Sequence, residues 1–415
     1  METPGKRGKR AAGRVAVLGA GIMGASVALF LARQGFRVTL FDQARQPFDG
    51  ASGWNQGRIH LGYLYAADST LGTARQLLNG GLLFRDIVEE LLGCSLAGAT
   101  TTADEVFLLH RDSVVSRAAV ETYFRRVTDL VRGHPDVGRY LDDAARHGAA
   151  PLDAAALDRM AAPGGTITAA WRIPERSVST RWLARRYIAA MAAEPRIEQR
   201  MGERVRAVRS AAPGALDGPF TIATEAGEDG PFTIVVNALW HGRCLIDQGL
   251  GLAPAAELSH RYRYALFAHT ARPIAQDSAL IGTGPFGEVT AYGGRDFCLS
   301  WYPASLAVEG QDPAPPPLPA LDGAGREALI GRIVDGLAQH LPAVRQVVDQ
   351  AASLELQGGW IFAQGRGSLA DPASGIHRRD RFGIRRSGRY VSVDTGQFST
   401  APWMAREIAA MFRSG

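Results

Sequence analysis

Residues 14–42, RVAVLGAGIMGASVALFLARQGFRVTLFD, read as one strand–turn–helix–strand unit. A short apolar run, Val15 to Leu18, leads into Gly19, Gly21 and Gly24 at GxGxxG spacing. An apolar helical pattern then carries Ala25 to Gln34, and Gly35 stands where a left-handed C-cap is expected. A second strand, Arg37 to Phe41, ends on Asp42, 18 residues after Gly24. Each part has a physical role in holding a dinucleotide. Gly19 makes the tight turn, Gly21 lets backbone approach a pyrophosphate, and Gly24 lets helix and strand pack closely. Ile22 and Met23 open the helix, whose N-terminus attracts phosphate charge. Asp42 is placed to accept hydrogen bonds from ribose hydroxyls. The fingerprint does not say which dinucleotide.

Lys6, Arg7, Lys9, Arg10 and Arg14 precede the uncharged run Val15 to Ala32, a pattern shared with signal peptides and membrane anchors. The run is 18 residues, short for a span, and holds three glycines at fingerprint spacing. It continues straight into a second strand, so a soluble, cytoplasmic protein without a membrane span is expected. The formal charge is +5 with a pI near 9.3. Residues 1–14 hold five basic groups and one acid, Glu2, which leaves the body at +1. Residues 1–13 therefore read as a disordered basic tail, and nucleic acid is not an expected partner. Cys94, Cys244 and Cys298 lie far apart without CxxC, against a metal site or disulfide framework and in keeping with a reducing compartment. A chain of 415 residues can bury a large core, and two interleaved domains are expected.

Residues 50–65, GASGWNQGRIHLGYLY, decide more than the fingerprint does. A simple NAD dehydrogenase has no need of a second small-residue loop. A flavin enzyme does, because its longer cofactor must pass from the pyrophosphate into the protein interior. With this loop, the chain resembles the D-amino-acid oxidase-like superfamily of FAD-dependent oxidoreductases. The resemblance implies that Ser52, Asn55, Gln56 and Gly57 contact FAD. ERVRAV (203–208) resembles the strand whose backbone meets adenine, which points to Val205. IVVNALW (234–240) resembles the family's VVNAAG segment and implicates Asn237 and Ala238. YVSVDTGQFSTAPWMAREIA (390–409) resembles the C-terminal flavin segment, implicating Gly396, Gln397, Phe398, Ser399 and Thr400.

That last segment also has a reading of its own. Val391 to Val393 alternates as a strand, Thr395-Gly396 turns, and Ala401 to Phe412 is a helix with Pro402 in its first turn. Its N-terminus would present free N–H groups and a positive dipole end to a flavin that gains negative charge. The histidine through which some relatives attach FAD would fall near Asn55, and Cys298 precedes the C-terminal segment where others carry a cysteine. FAD is thus expected to be noncovalent. Gln397, Phe398 and Ser399 replace the glycines and histidine usual in amine oxidases, a departure from a simple amino-acid oxidase.

The expected fold class is α/β: a discontinuous Rossmann-like FAD-binding domain with an interleaved α+β substrate domain on an antiparallel sheet. Residues 14–68, 150–250 and 352–415 are assigned to the first, and 69–149 and 251–351 to the second. Strands are expected at Val106 to His110, Arg261 to His269 and Asp296 to Pro303, and helices at Ser179 to Ala193 and Gly325 to Leu341.

An enzyme of this kind removes a hydride from a CH–NH or CH–OH carbon of a small polar metabolite to flavin N5. For an alcohol it also needs a base. His60 is the candidate, since it follows the cofactor loop directly and an imidazole is the side chain suited to proton transfer near neutrality. For the substrate, Arg261 would grip a carboxylate or phosphate and Tyr264 a hydroxyl, with Trp301 and Tyr302 as an aromatic wall. Arg381 is the candidate from the arginine-dense stretch GIHRRDRFGIRR (375–386). The electron acceptor (oxygen, quinone or another protein) stays open. So do two other functions, an NAD-dependent Rossmann dehydrogenase and a catalytically silent flavin-binding protein.

Overall fold

The computed structural model describes residues 13–413 except 142, 144–146, 163, 164, 213 and 256, so the basic tail lies outside the described residues apart from Gly13. A six-stranded sheet runs in the order Gly383–Ser387, Tyr390–Asp394, Ile234–Asn237, Arg14–Leu18, Arg37–Asp42, Ile197–Met201. All pairs are parallel except the antiparallel hairpin at the 383–387 edge. Val15 to Leu18 pair with Val38 to Phe41 on one side and with Ile234 to Asn237 on the other. With neighbours on both edges and layers on both faces, Val15, Ala16, Val17 and Leu18 are fully buried. Burial of that kind is what an unbroken apolar run signals in a parallel sheet.

The first helix, Ile22–Arg33, packs against helices Thr180–Ala192 and Ala401–Ala410. Its buried residues therefore run all the way round rather than along one stripe. Ser179 caps the second of these helices by accepting the Trp182 N–H. Gly35 follows the first helix at φ +98°, as its sequence position predicts. A separate three-stranded antiparallel sheet, Val205–Ser210, Phe220–Thr224 and Gly227–Phe232, packs on one face of the six-stranded sheet through Ala16, Leu18 and Val235.

The larger sheet has nine strands, ordered Leu306–Gly310, Ser259–Thr270, Asp296–Trp301, Gly287–Tyr292, Ala279–Gly282, Glu105–His110, Ile167–Ile173, Ala150–Pro151, with Ala351–Ala363 also paired to Ser259–Thr270. Only the pair formed by 279–282 and 105–110 is parallel. Helices Gly323–Ala338 and Ala343–Asp349 cover one face through Leu329, Ile333, Leu337, Val344 and Val347. Several segments divide differently from the sequence-based boundaries. Ile167–Ile173 and Ala351–Ala363 join the larger sheet rather than the nucleotide part. Helices Gly72–Leu82 and Phe84–Leu92 pack on the helix Ala401–Ala410 rather than with the larger sheet. Strand membership depends on partners distant in sequence, which local pattern does not encode. Among the described residues no helix is long and apolar enough to cross a membrane.

Candidate active site

A cavity of about 550 Å³ runs from the ends of the first two strands to the C-terminal segment. At its first end Gly19 turns at φ +98°, and its N–H donates to the Phe41 carbonyl at 2.7 Å. A Cβ on Gly24 would lie 1.8 Å from the Gly19 carbonyl oxygen, so helix and turn meet only through glycine. The Asp42 carboxylate accepts from the N–H groups of Ala20 at 2.6 Å and Ala44 at 2.8 Å, which fixes it at the cavity edge. Burial raises its pKa against those two hydrogen bonds. Ser52 reaches across from the second loop and accepts the Ile22 N–H at 3.0 Å. A Cβ on Gly21 would sit 2.6 Å from that hydroxyl, so the cleft between helix start and loop is one a side chain would fill.

The loop is held by its own polar groups. Asn55 donates to the Ala51 carbonyl at 2.7 Å and accepts the Gly57 N–H at 2.7 Å. The Thr180 hydroxyl donates to the Gly53 and Asn55 carbonyls.

Of the expected cofactor contacts, Gly19, Gly21, Ile22, Met23, Asp42, Ser52, Asn55, Gln56, Val205, Ala238, Gly396, Gln397 and Phe398 line this one cavity. The others stand behind its wall. Gly24 packs on Gly19, and Gly57, at φ +63°, packs on the Val178 carbonyl. Asn237 is fully buried and donates to the Arg243 carbonyl, Asp247 and Tyr390. The Ser399 hydroxyl accepts the His60 N–H at 3.3 Å, and the Thr400 hydroxyl donates to the Thr395 and Gln397 carbonyls. These five shape the site through the backbone instead of facing it.

His60 lines the cavity and is 2% exposed. Its Nδ1 lies 3.6 Å from Oε2 of Glu175. The other oxygen of Glu175 accepts three successive N–H groups, from Leu61, Gly62 and Tyr63, at 2.7, 2.7 and 3.0 Å. Burial pushes the Glu175 carboxyl up, but His60, Arg58 and the N–H groups outweigh it and hold its pKa low. Beside it, buried Arg58 donates to Glu105 and, at 2.8 Å, to Glu288. Burial takes Glu105 the other way, up to about 7 despite Arg58.

A smaller chamber of about 180 Å³ shares Gln56, Arg58, Arg263, Glu288, Arg379 and Gln397 with the main cavity. Arg261 and Tyr302 line it, and Arg261 Nη1 donates to the Tyr302 hydroxyl at 3.1 Å. Tyr264 lines the main cavity instead. Trp301 and Arg381 line neither. Trp301 packs on Gly336 and on the His340 ring at 5.0 Å, because the strand turns its side chain to the covering helix. Arg381 is 54% exposed and lies 3.6 Å from Glu257 on the surface. Arg379, two residues earlier, faces the site in its place.

Residues 14–411 match the model of the family DAO, FAD-dependent oxidoreductase. The chain belongs to this family. Its DAO-type fold is shared with solved structures that cover nearly all of it. Glycine oxidase from Geobacillus kaustophilus aligns over 97% of this chain and 96% of its own, at 16% identity and a TM-score of 0.66. NikD, an unusual amino acid oxidase essential for nikkomycin biosynthesis, aligns over 98% and 95%, at 17% identity and 0.66. L-alpha-glycerophosphate oxidase from Mycoplasma pneumoniae, solved with FAD bound, aligns over 98% and 96%, at 13% identity and 0.59. Among curated proteins, the FAD-dependent monooxygenase FPY4 of Fusarium mangiferae is 41% identical over 75 residues. That stretch is 18% of this chain and spans only 20% of that protein.

As a DAO-family protein, the chain is an FAD-dependent oxidoreductase and its cofactor is FAD, which sets aside the NAD-only alternative. The cradle around Gly21, Ser52 and Asp42 fits such a cofactor: a helix N-terminus, an anchored carboxylate and a cleft closed to side chains. Arg58, Glu175, Glu288 and Arg379 are site residues that the sequence does not single out. Arg58 carries the one local signal, as a charged residue between the cofactor loop and His60. The acids come from strands and turns more than 40 residues away, with no local mark.

Proposed function

We propose that this oxidoreductase acts on a CH–OH carbon of a small anionic metabolite, a hydroxy acid or sugar derivative, with His60 taking the hydroxyl proton. The observation that carries the reading is His60 on the cavity wall with Glu175 behind it at 3.6 Å. Hydride leaves an alcohol carbon readily only as the hydroxyl proton is lost, so an alcohol substrate requires a base at the reacting carbon. With Nδ1–H directed at Glu175, Nε2 is the acceptor. FAD, when bound, supplies the hydride acceptor at flavin N5.

The chain's own residues do the rest. Gly19, Gly21, Ile22, Met23 and Ser52 would hold the pyrophosphate, Asp42 the ribose and Val205 the adenine. Gln56, Ala238, Gly396, Gln397 and Phe398 would flank the remainder, with the helix Ala401–Ala410 behind them. The hold is noncovalent: the Asn55 side chain is committed to its own loop. Cys298, on the opposite wall, has its thiol pKa pushed up by burial, which keeps it from being a nucleophile. On the substrate side, Arg261 and Tyr302 in the adjoining chamber would orient an anionic group.

A second reading, oxidation of a CH–NH bond in an amino acid, draws on the names of two structures of the same fold, a glycine oxidase and an amino acid oxidase. An anaerobic titration separates the two. Hydroxy acids or sugar acids that bleach the flavin band at about 450 nm support the first reading. Bleaching by amino acids alone supports the second.

A further inference from the structure

We propose that the 180 Å³ chamber is a site for a small dianion, carrying two carboxylates or one phosphate, held between Arg261 and Arg379. The inference rests on the oxidoreductase reading above and names the substrate class for that same site. It follows from a count of charge.

Four arginines line the chamber, Arg58, Arg261, Arg263 and Arg379, and among the described residues Glu288 is its single acidic wall. Glu288 is engaged by Arg58 at 2.8 Å and by Arg263 at 3.5 Å, and Glu105, behind the wall, pairs with Arg58 as well. When both acids are ionised, these four side chains balance; Glu175, the third acid acting on Arg58, faces His60 and the N–H groups of residues 61–63 and does not line the chamber. Arg261 and Arg379 are left over, with no carboxylate at ion-pair distance among the described residues. Arg261 is 3% exposed, and its Nε and Nη2 have no hydrogen-bond partner. Arg379 spends one nitrogen on the Phe362 carbonyl at 2.8 Å. Burial and the neighbouring Arg261 pull its pKa down to about 10. Nearby acid is already taken, since Asp394 pairs with Arg243 at 2.9 Å and accepts from Gln364 at 2.8 Å. His377 adds no charge: it bonds the Asp371 carbonyl at 2.8 Å, and burial lowers its pKa.

Two guanidiniums that line one small chamber destabilise each other, and a single carboxylate neutralises only one. A ligand with two negative charges neutralises both, and the planar forks suit carboxylate and phosphate oxygens alike. Gln56, Arg263 and Gln397 also border the cofactor cavity, so the dianion would lie directly beside the cofactor.

The test is a titration of the FAD-loaded protein with succinate, malonate, inorganic phosphate and acetate at mildly alkaline pH, read by flavin absorbance and thermal shift. At least one dianion is expected to bind roughly 10- to 100-fold more tightly than acetate. Preference for the diacids identifies a dicarboxylate, and preference for phosphate a phosphate ester. Arg379→Gln is expected to abolish the preference with little change for acetate, while Arg379→Lys, which keeps the charge, retains part of it. Acetate binding as tightly as every dianion overturns the proposal, and the wild-type titration alone can show that. Lactate or alanine bleaching the flavin while no dianion binds also overturns it, yet leaves the oxidoreductase reading in place. Dianions that bind while no hydroxy or amino compound bleaches the flavin support the site and overturn the reading.

Discussion

Nδ1 of His60 and Oε2 of Glu175 face each other at 3.6 Å, both buried, and neither has a hydrogen-bond partner among the described residues. Glu175 thus does two things at once. One oxygen fixes the backbone of residues 61–63, and the other is directed at the imidazole.

Glu175→Gln separates these two actions. The amide oxygen can still accept the three N–H groups, while the amide nitrogen then faces Nδ1 and donates to it. That places the imidazole proton on Nε2 and removes the base. Flavin reduction is expected to slow on the order of 10²-fold, with FAD still bound and the fold kept. Nitrogen-15 NMR of labelled histidine would report the change of tautomer directly. An unchanged rate with a changed tautomer would remove Glu175 from the chemistry.

The dinucleotide turn makes a prediction about space. Gly24→Ala places a methyl group 1.8 Å from the Gly19 carbonyl. A loss of about 1–3 kcal/mol or more is expected, together with failure to retain FAD on gel filtration. Gly331, in the helix Gly323–Ala338, has nothing within 4 Å of the point where a methyl group would sit. There alanine should stabilise by about 0.5–1 kcal/mol. Denaturant midpoints for the two variants check both signs.

His241 sets a pH dependence. Its ring stacks on Trp360 at 5.3 Å, and burial, with His260 and Arg204 nearby, pulls its pKa to about 3. Folded-state pKa below the unfolded value means that the unfolded chain binds the proton first. The neutral ring's contribution is therefore present above pH 6.5 and is lost as pH falls toward 3. His241→Phe keeps the stack and should flatten stability across that window. Other histidines with lowered pKa values, His110, His260, His340 and His377, should preserve part of the slope. Urea unfolding of the two apoproteins at several pH values provides the comparison.

Arg381 and Trp301 show where sequence reading stops. The dinucleotide turn, the second loop and the C-terminal segment are legible because each is a local arrangement of small residues whose chemistry is backbone geometry. Arg381 stands in a run of arginines, yet two residues decide which side chain enters the site, and Arg379 is the one that does. Trp301 lies on an expected strand, but the strand's end turns the ring to the covering helix. Glu105, Glu175 and Glu288 come together only through tertiary pairing, so their meeting at Arg58 and His60 has no local sequence signature. Arg381→Ala is accordingly expected to leave kcat/KM within about twofold, whereas Arg379→Ala should raise KM well beyond that. Steady-state kinetics on the substrate that bleaches the flavin decides between them.

The most direct measurement is the anaerobic rate of flavin reduction in His60→Asn, mixed with the substrate that bleaches the wild-type enzyme. The variant should bind FAD with a normal spectrum and reduce it at least about 10²-fold more slowly. Reduction at the wild-type rate would contradict His60 as the base and with it the assignment of a hydroxyl substrate.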